Sequence, residues 1–100
     1  MKILICDDEI QYVNPLQAHV QQYMDSRFIN YEILAITSPK EILESETRFD
    51  LAFLDIQMEE IDGISLAKEL KRRNRKIALF FVTNYDDYQD DAMVPIPADS

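Results

Sequence analysis

One hundred residues, 47% of them hydrophobic, suffice for one compact domain with a single core and are too few for two independently folded units. Nineteen acidic against ten basic side chains give a net charge of −9, which excludes a nucleic-acid surface on the domain as a whole, because phosphate binding needs clustered Lys and Arg without opposing carboxylates. The lone cysteine excludes an internal disulfide, no apolar run approaches the roughly 18 to 20 residues that span a bilayer, and the acids directly behind Cys6 exclude a signal peptide, so the chain reads as cytoplasmic.

Lys2-Ile3-Leu4-Ile5-Cys6 is a continuous apolar run rich in β-branched residues, closed by Asp7, Asp8 and Glu9. It suits a strand buried on both faces of a parallel sheet, with Cys6 as an inert buried thiol. Ile10, Val13, Leu16, Val20, Tyr23 and Met24 then recur at three- and four-residue spacing, the stripe of an amphipathic helix running to about Asp25. Pro15 either kinks that helix or, with Asn14 as N-cap, starts it. Tyr31 to Ile36 gives a second strand. Ser38-Pro39-Lys40-Glu41 follows as a capping box with proline at the first helical position, opening a short helix to about Glu46.

Leu51-Ala52-Phe53-Leu54-Asp55 is a third apolar run that ends on a carboxylate, as the first one does. Asp62-Gly63 punctuates a loop, after which Ile64, Ala67 and Leu70 mark a helix with the basic residues Lys71 to Lys76 at its end. Cations there favour the helix macrodipole, so the run reads as a solvated helix end. Ile77 to Val82 is the fourth strand, ending at Thr83. The acidic segment Asn84 to Met93 suits one or two helical turns. Val94-Pro95-Ile96-Pro97 cannot be a central strand, because prolines lack the N–H a ladder uses; it is an edge or an extended tail.

Strands alternating with helices predict right-handed crossovers and a parallel α/β sheet, and ligands of such sheets bind beyond the carboxyl ends of the strands. Asp7, Asp8, Asp55 and Thr83 all fall there. Three carboxylates at one edge call for a compensating cation. Oxygen ligands alone select a hard ion such as Mg²⁺ over zinc, and the lone His19 sits on the first helix, away from the group. A carboxylate beside Mg²⁺ is also a competent nucleophile for phosphorus, which makes phosphoryl transfer to aspartate the natural reaction.

Ile3-Leu4-Ile5-Cys6-Asp7-Asp8-Glu9, then Leu54-Asp55-Ile56-Gln57-Met58 with Asp62-Gly63, and finally Phe81-Val82-Thr83 resemble the three signatures of response-regulator receiver domains from two-component systems. The resemblance covers roughly Met1 to Met93 and implies a flavodoxin-like, doubly wound parallel sheet of strand order 2-1-3-4. It implies that Asp55 accepts a phosphoryl group from a histidine kinase, that Asp8 and Asp55 bind Mg²⁺ directly, that Asp7 helps through water, and that the Gln57 backbone carbonyl completes the ligand set. Thr83 would hydrogen-bond the phosphoryl group and couple it to loop movement. Thr83-Asn84-Tyr85-Asp86-Asp87-Tyr88 with Ala92-Met93 is similar to receivers that precede a LytTR-type DNA-binding domain, which would place a DNA-binding output domain in a longer parent protein.

The resemblance breaks at its C-terminal end, where a receiver normally carries a fifth strand with a lysine, a proline and a fifth helix. The last lysine of this chain is Lys76, and no basic residue follows Thr83. We therefore read residues 1–93 as an incomplete receiver and 94–100 as a tail outside the family pattern. The exposed sheet edge this leaves invites a homodimer or a domain swap. Two other functions stay open: an interaction module that works without phosphorylation, and a hydrolase of the haloacid-dehalogenase type. The second needs an aspartate two residues after the nucleophile, where Gln57 stands. A signalling phosphoacceptor, not an enzyme with turnover, fits best.

Overall fold

The computed structural model describes residues 1–83 and 94–95. Strands β1 (Lys2–Cys6), β2 (Glu32–Ile36), β3 (Leu51–Asp55) and β4 (Ala78–Thr83) alternate with helices α1 (Ile10–Ser26), α2 (Pro39–Glu44) and α3 (Gly63–Arg73). The four strands are parallel and lie in the order β2-β1-β3-β4, as expected. A two-residue strand, β5 (Val94–Pro95), pairs antiparallel with β4, so this segment is an edge and not a fifth parallel strand. The stretch Asn84 to Met93 lies outside the described residues.

Side chains alternate across each strand, and the two faces of the sheet collect two separate cores. Ile3, Ile5 and Leu51 pack with Val13, Val20 and Met24 of α1. Leu4, Cys6, Ala52 and Leu54 pack with Ile42 of α2 and with Leu66, Ala67 and Leu70 of α3. Burying each of the larger side chains contributes roughly 1.5–3 kcal/mol, so β1 and β3, apolar toward both layers, anchor the domain. On the α1 side Phe53 stacks on Phe80 with ring centroids 5.4 Å apart, and Phe80 remains half exposed.

Helix α1 runs unbroken through Pro15 and starts at Ile10, so Asn14-Pro15 is not its beginning. Proline there removes the hydrogen bond to the Gln11 carbonyl, and both residues lie on the exposed side of the helix, where the cost is smallest. The apolar stripe is narrower than its spacing suggests: Val13, Val20 and Met24 are buried, whereas Ile10 and Tyr23 are more than half exposed. The helix closes with Phe28 in the left-handed region, φ 57°, a conformation a bulky residue rarely adopts.

The capping box expected at Ser38 does not form. The Ser38 hydroxyl donates instead to Glu60 Oε1 at 2.8 Å, and that oxygen also accepts from the Lys40 N–H at 3.4 Å. A carboxylate from the loop after β3 thus satisfies a free donor at the start of α2. In α3 the buried face is Gly63, Leu66, Ala67 and Leu70, while Ile64 is exposed. Its start is capped by Asp62, whose Oδ1 accepts from the Ser65 N–H at 2.7 Å.

Gly63 is required by closeness, not by backbone angle, since its φ is not positive. Its N–H donates to the Ile56 carbonyl at 2.7 Å. A Cβ at this position would run into the Asp55 carbonyl oxygen and lie 2.9 Å from the Asp55 carbonyl carbon. The last turn of α3 is held by Arg73, whose side chain is only 9% exposed. It pairs with Glu69 at 2.7 Å and donates to the carbonyls of Ile42, Thr47 and Leu43 at 3.1–3.3 Å. It thereby ties the end of α2 and the loop after it to the last turn of α3, adding to the Ser45 N–H and hydroxyl that also donate to the Ile42 carbonyl.

Gly63→Ala is expected to lower unfolding stability by about 1–3 kcal/mol in urea titrations, because backbone must move to admit the methyl; an unchanged midpoint would show the contact is slack. Arg73→Met should cost about 2–3 kcal/mol by removing the charged donor shared by Glu69 and the Leu43 and Thr47 carbonyls, against about 0.5 kcal/mol or less for Arg72→Met, whose side chain is 71% exposed.

Candidate metal centre

The sheet register brings the acids together. Cys6 pairs with Leu54 across the β1–β3 ladder, so the next residues, Asp7 and Asp55, emerge side by side at the carboxyl edge. One carboxylate oxygen from each of Asp7, Asp8 and Asp55 lies within 4.8 Å of the others. Asp7 is buried at 6% exposure; Asp8 and Asp55 are half buried.

Backbone amides fix the three groups. The Glu9 N–H donates to Asp7 Oδ1 at 3.0 Å, and the Glu59 N–H donates to Asp8 Oδ2 at 3.2 Å. The N–H groups of Gln57 and Ile56 face the Asp55 carboxylate. These donors lower the cost of charge but do not cancel it. Burial pushes the Asp7 carboxyl up to about 7, with Asp55 and Asp8 adding to the rise and the Glu9 amide opposing it. Asp55 is raised by the same causes, burial first, then the charge of Asp8. Beneath them, burial and the same acids push the Cys6 thiol up to about 12, which keeps it protonated and inert as expected.

An all-oxygen donor set with unrelieved negative charge fits a hard divalent cation. The sequence-derived group Asp7, Asp8 and Asp55 is thus assembled in space. Gln57 is exposed and reaches Asp55 through its N–H. Thr83 is the last residue of β4, one step past Val82, which pairs with Asp55. His19 lies on α1, outside the carboxylate group. Sequence reasoning missed the amides of Glu9 and Glu59, which carry no side-chain signal. It also took Gly63 for simple loop punctuation, although its N–H and its missing Cβ set the path of the loop leaving Asp55.

Comparison with known proteins agrees with this architecture. Residues 3–95 match the family model described as response regulator receiver domain. The chain is 33% identical over 89 residues to the transcriptional regulatory protein ZraR of Escherichia coli K12, covering 87% of this chain and 19% of that protein. It is 35% identical over 91 residues to the sensory transduction protein LytR of Streptococcus agalactiae, covering 88% of this chain and 36% of the relative. The chain therefore spans only a minor part of these relatives. Among solved structures, the response regulator TrrA of Thermotoga maritima, crystallised with Mg²⁺-BeF, superposes with a TM-score of 0.67 at 28% identity over 90% of this chain and 75% of that one. The activated DrrB receiver domain gives a TM-score of 0.70 at 17% identity over 88% of this chain and 69% of that one, a likeness of fold. No helix among the described residues is long and apolar enough to cross a membrane. With its strand order, its paired strand-end carboxylates and this match over most of its length, the chain belongs to the response regulator receiver domain family.

Proposed function

We propose that the chain is a phosphoacceptor: a histidine kinase donates a phosphoryl group to Asp55 in the presence of Mg²⁺. The convergence of Asp7, Asp8 and Asp55 within 4.8 Å carries this reading. An Asp55 carboxylate oxygen attacks phosphorus, the P–N bond of the donor phosphohistidine breaks, and the departing imidazole nitrogen keeps the bonding pair and takes up a proton. Asp8, Asp55 and the Gln57 carbonyl would hold the ion, with Asp7 acting through water, and a bound Mg²⁺ would supply positive charge to neutralise the carboxylate and phosphoryl oxygens. The Ile56 and Gln57 amides orient the nucleophile. The Thr83 hydroxyl hydrogen-bonds the transferred group and couples it to β4.

The relatives carry regulatory names and are much longer than this chain, which supports a DNA-binding output domain in a longer parent protein. A second reading is an interaction module that works without phosphorylation.

Intact mass after incubation with Mg²⁺ and acetyl phosphate is expected to show one added phosphoryl group, absent in Asp55→Asn. A folded chain that gains none would establish the second reading. The acid cluster also fixes a pH response. Because the Asp7 carboxyl rises from 3.8 to about 7 on folding, the folded state binds the extra proton between those values. The Asp7 contribution to metal-free stability is therefore fully present below about pH 4 and is lost as pH rises through 7. Thermal unfolding should show this decline, a larger stabilisation by Mg²⁺ at pH 8 than at pH 5, and an upward shift of several degrees for Asp7→Asn at pH 8 without metal. A metal-free midpoint that climbs between pH 4 and 7 would contradict the assignment.

A further inference from the structure

Charge on this chain is sharply segregated. The nine residues Lys68–Lys76 hold six of the ten basic side chains and one carboxylate, Glu69. Glu69 is spent on Arg72 and Arg73, at 2.8 and 2.7 Å, which holds its carboxyl down at about 2. Arg73 is turned inward onto the carbonyls of α2. Among the described residues, Lys68, Lys71 and Arg75 have no carboxylate partner, and with Arg72 they line one shallow surface groove. The helix macrodipole accounts for cations within the last turn only, so it explains Lys71 and Arg72 but not Lys68.

We propose that this outer face of α3 is a docking surface for an acidic helix of a protein partner. Lys68, Lys71 and Arg72 follow the i, i+3, i+4 pattern that places side chains on one side of α3, and Arg75, two residues past the helix end, lines the same groove, so the four cations face one way as the carboxylates of an acidic helix would require. The helical part of the patch is about 6 Å long, little more than one turn. A nucleic-acid duplex carries a charge about every 1.7 Å and continues past such a patch, where it would meet the acids that dominate the remaining ninety-one residues. A short acidic helix ends where the patch ends. The surface occupies the C-terminal half of α3, starting at Lys68 about 7.5 Å along the helix axis from Gly63, and shares no residue with the metal centre.

The test titrates the ¹⁵N-labelled chain with a synthetic alanine-based helix of ~15 residues bearing glutamates at i, i+3, i+4 and i+7, at low ionic strength. Amide shifts are expected on residues 68–76, with affinity reduced roughly tenfold or more by the double variant Lys68→Glu/Arg75→Glu and lost at high salt. The spectrum itself reports whether the variant is folded. Absent shifts, shifts centred away from α3, or unchanged affinity in the folded variant would overturn the proposal. A duplex DNA of about 20 base pairs that moves the same amides at lower concentration would replace the protein partner with nucleic acid. Shifts that depend on the concentration of the chain alone would assign the face to a second copy.

Discussion

Asp7, Asp8 and Asp55 present oxygens within 4.8 Å of one another in a partly dry pocket, and like charges at that spacing repel. The fold around them is arranged to hold this unfavourable set in place. Two largely buried strands deliver Asp7 and Asp55, and the parallel register sets them level. Amides from the loops donate to each carboxylate, yet Asp7 still keeps its proton to about 7. A site that is costly when empty favours a cation strongly when filled, so the strain in the apo fold and the affinity for metal have one origin.

The loop after β3 concentrates the supporting contacts. Glu59 gives its amide to Asp8, Glu60 caps α2, Asp62 caps α3, and Gly63 allows that helix to begin against the Asp55 carbonyl. Met58 packs on the core and its sulfur lies 3.8 Å from that of Cys6. A movement at Asp55 is thereby linked mechanically to the starts of two helices. This makes the loop a suitable place for a signal to leave the site.

Much of this was legible from residue order. Apolar runs ending in carboxylates located two strands, β1 and β3, and the acid group, because strands buried on both faces leave no polar residue until they surface. Pro39 at the first helical position also marked a helix start correctly. The failures share a cause: they depend on contacts distant in sequence. Ser38 and Glu41 matched a capping box, but Glu60, twenty-two residues from Ser38, is the stronger acceptor. Ile64 had the right hydrophobicity for the core, but the need to bring α3 against Asp55 put Gly63 on the buried face instead. Arg73 looked like one cation in a solvated run, and only the neighbouring end of α2 gives it a buried role. Pro15 satisfied the rules for a helix start, yet the apolar residues before it extended the helix back to Ile10.

The two edges of the sheet differ in a way that bears on aggregation. On the β4 side Val94 and Pro95 cover only Val82 and Thr83, and Pro95 brings no N–H, so among the described residues the outer edge from Ala78 to Phe81 stays uncovered. On the β2 side all five residues form the outer edge, away from β1, with Leu34 44% exposed. Fibril-like stacking of partly unfolded molecules would thus have an edge to begin on at either side, and on β2 the charge of Glu32 opposes it.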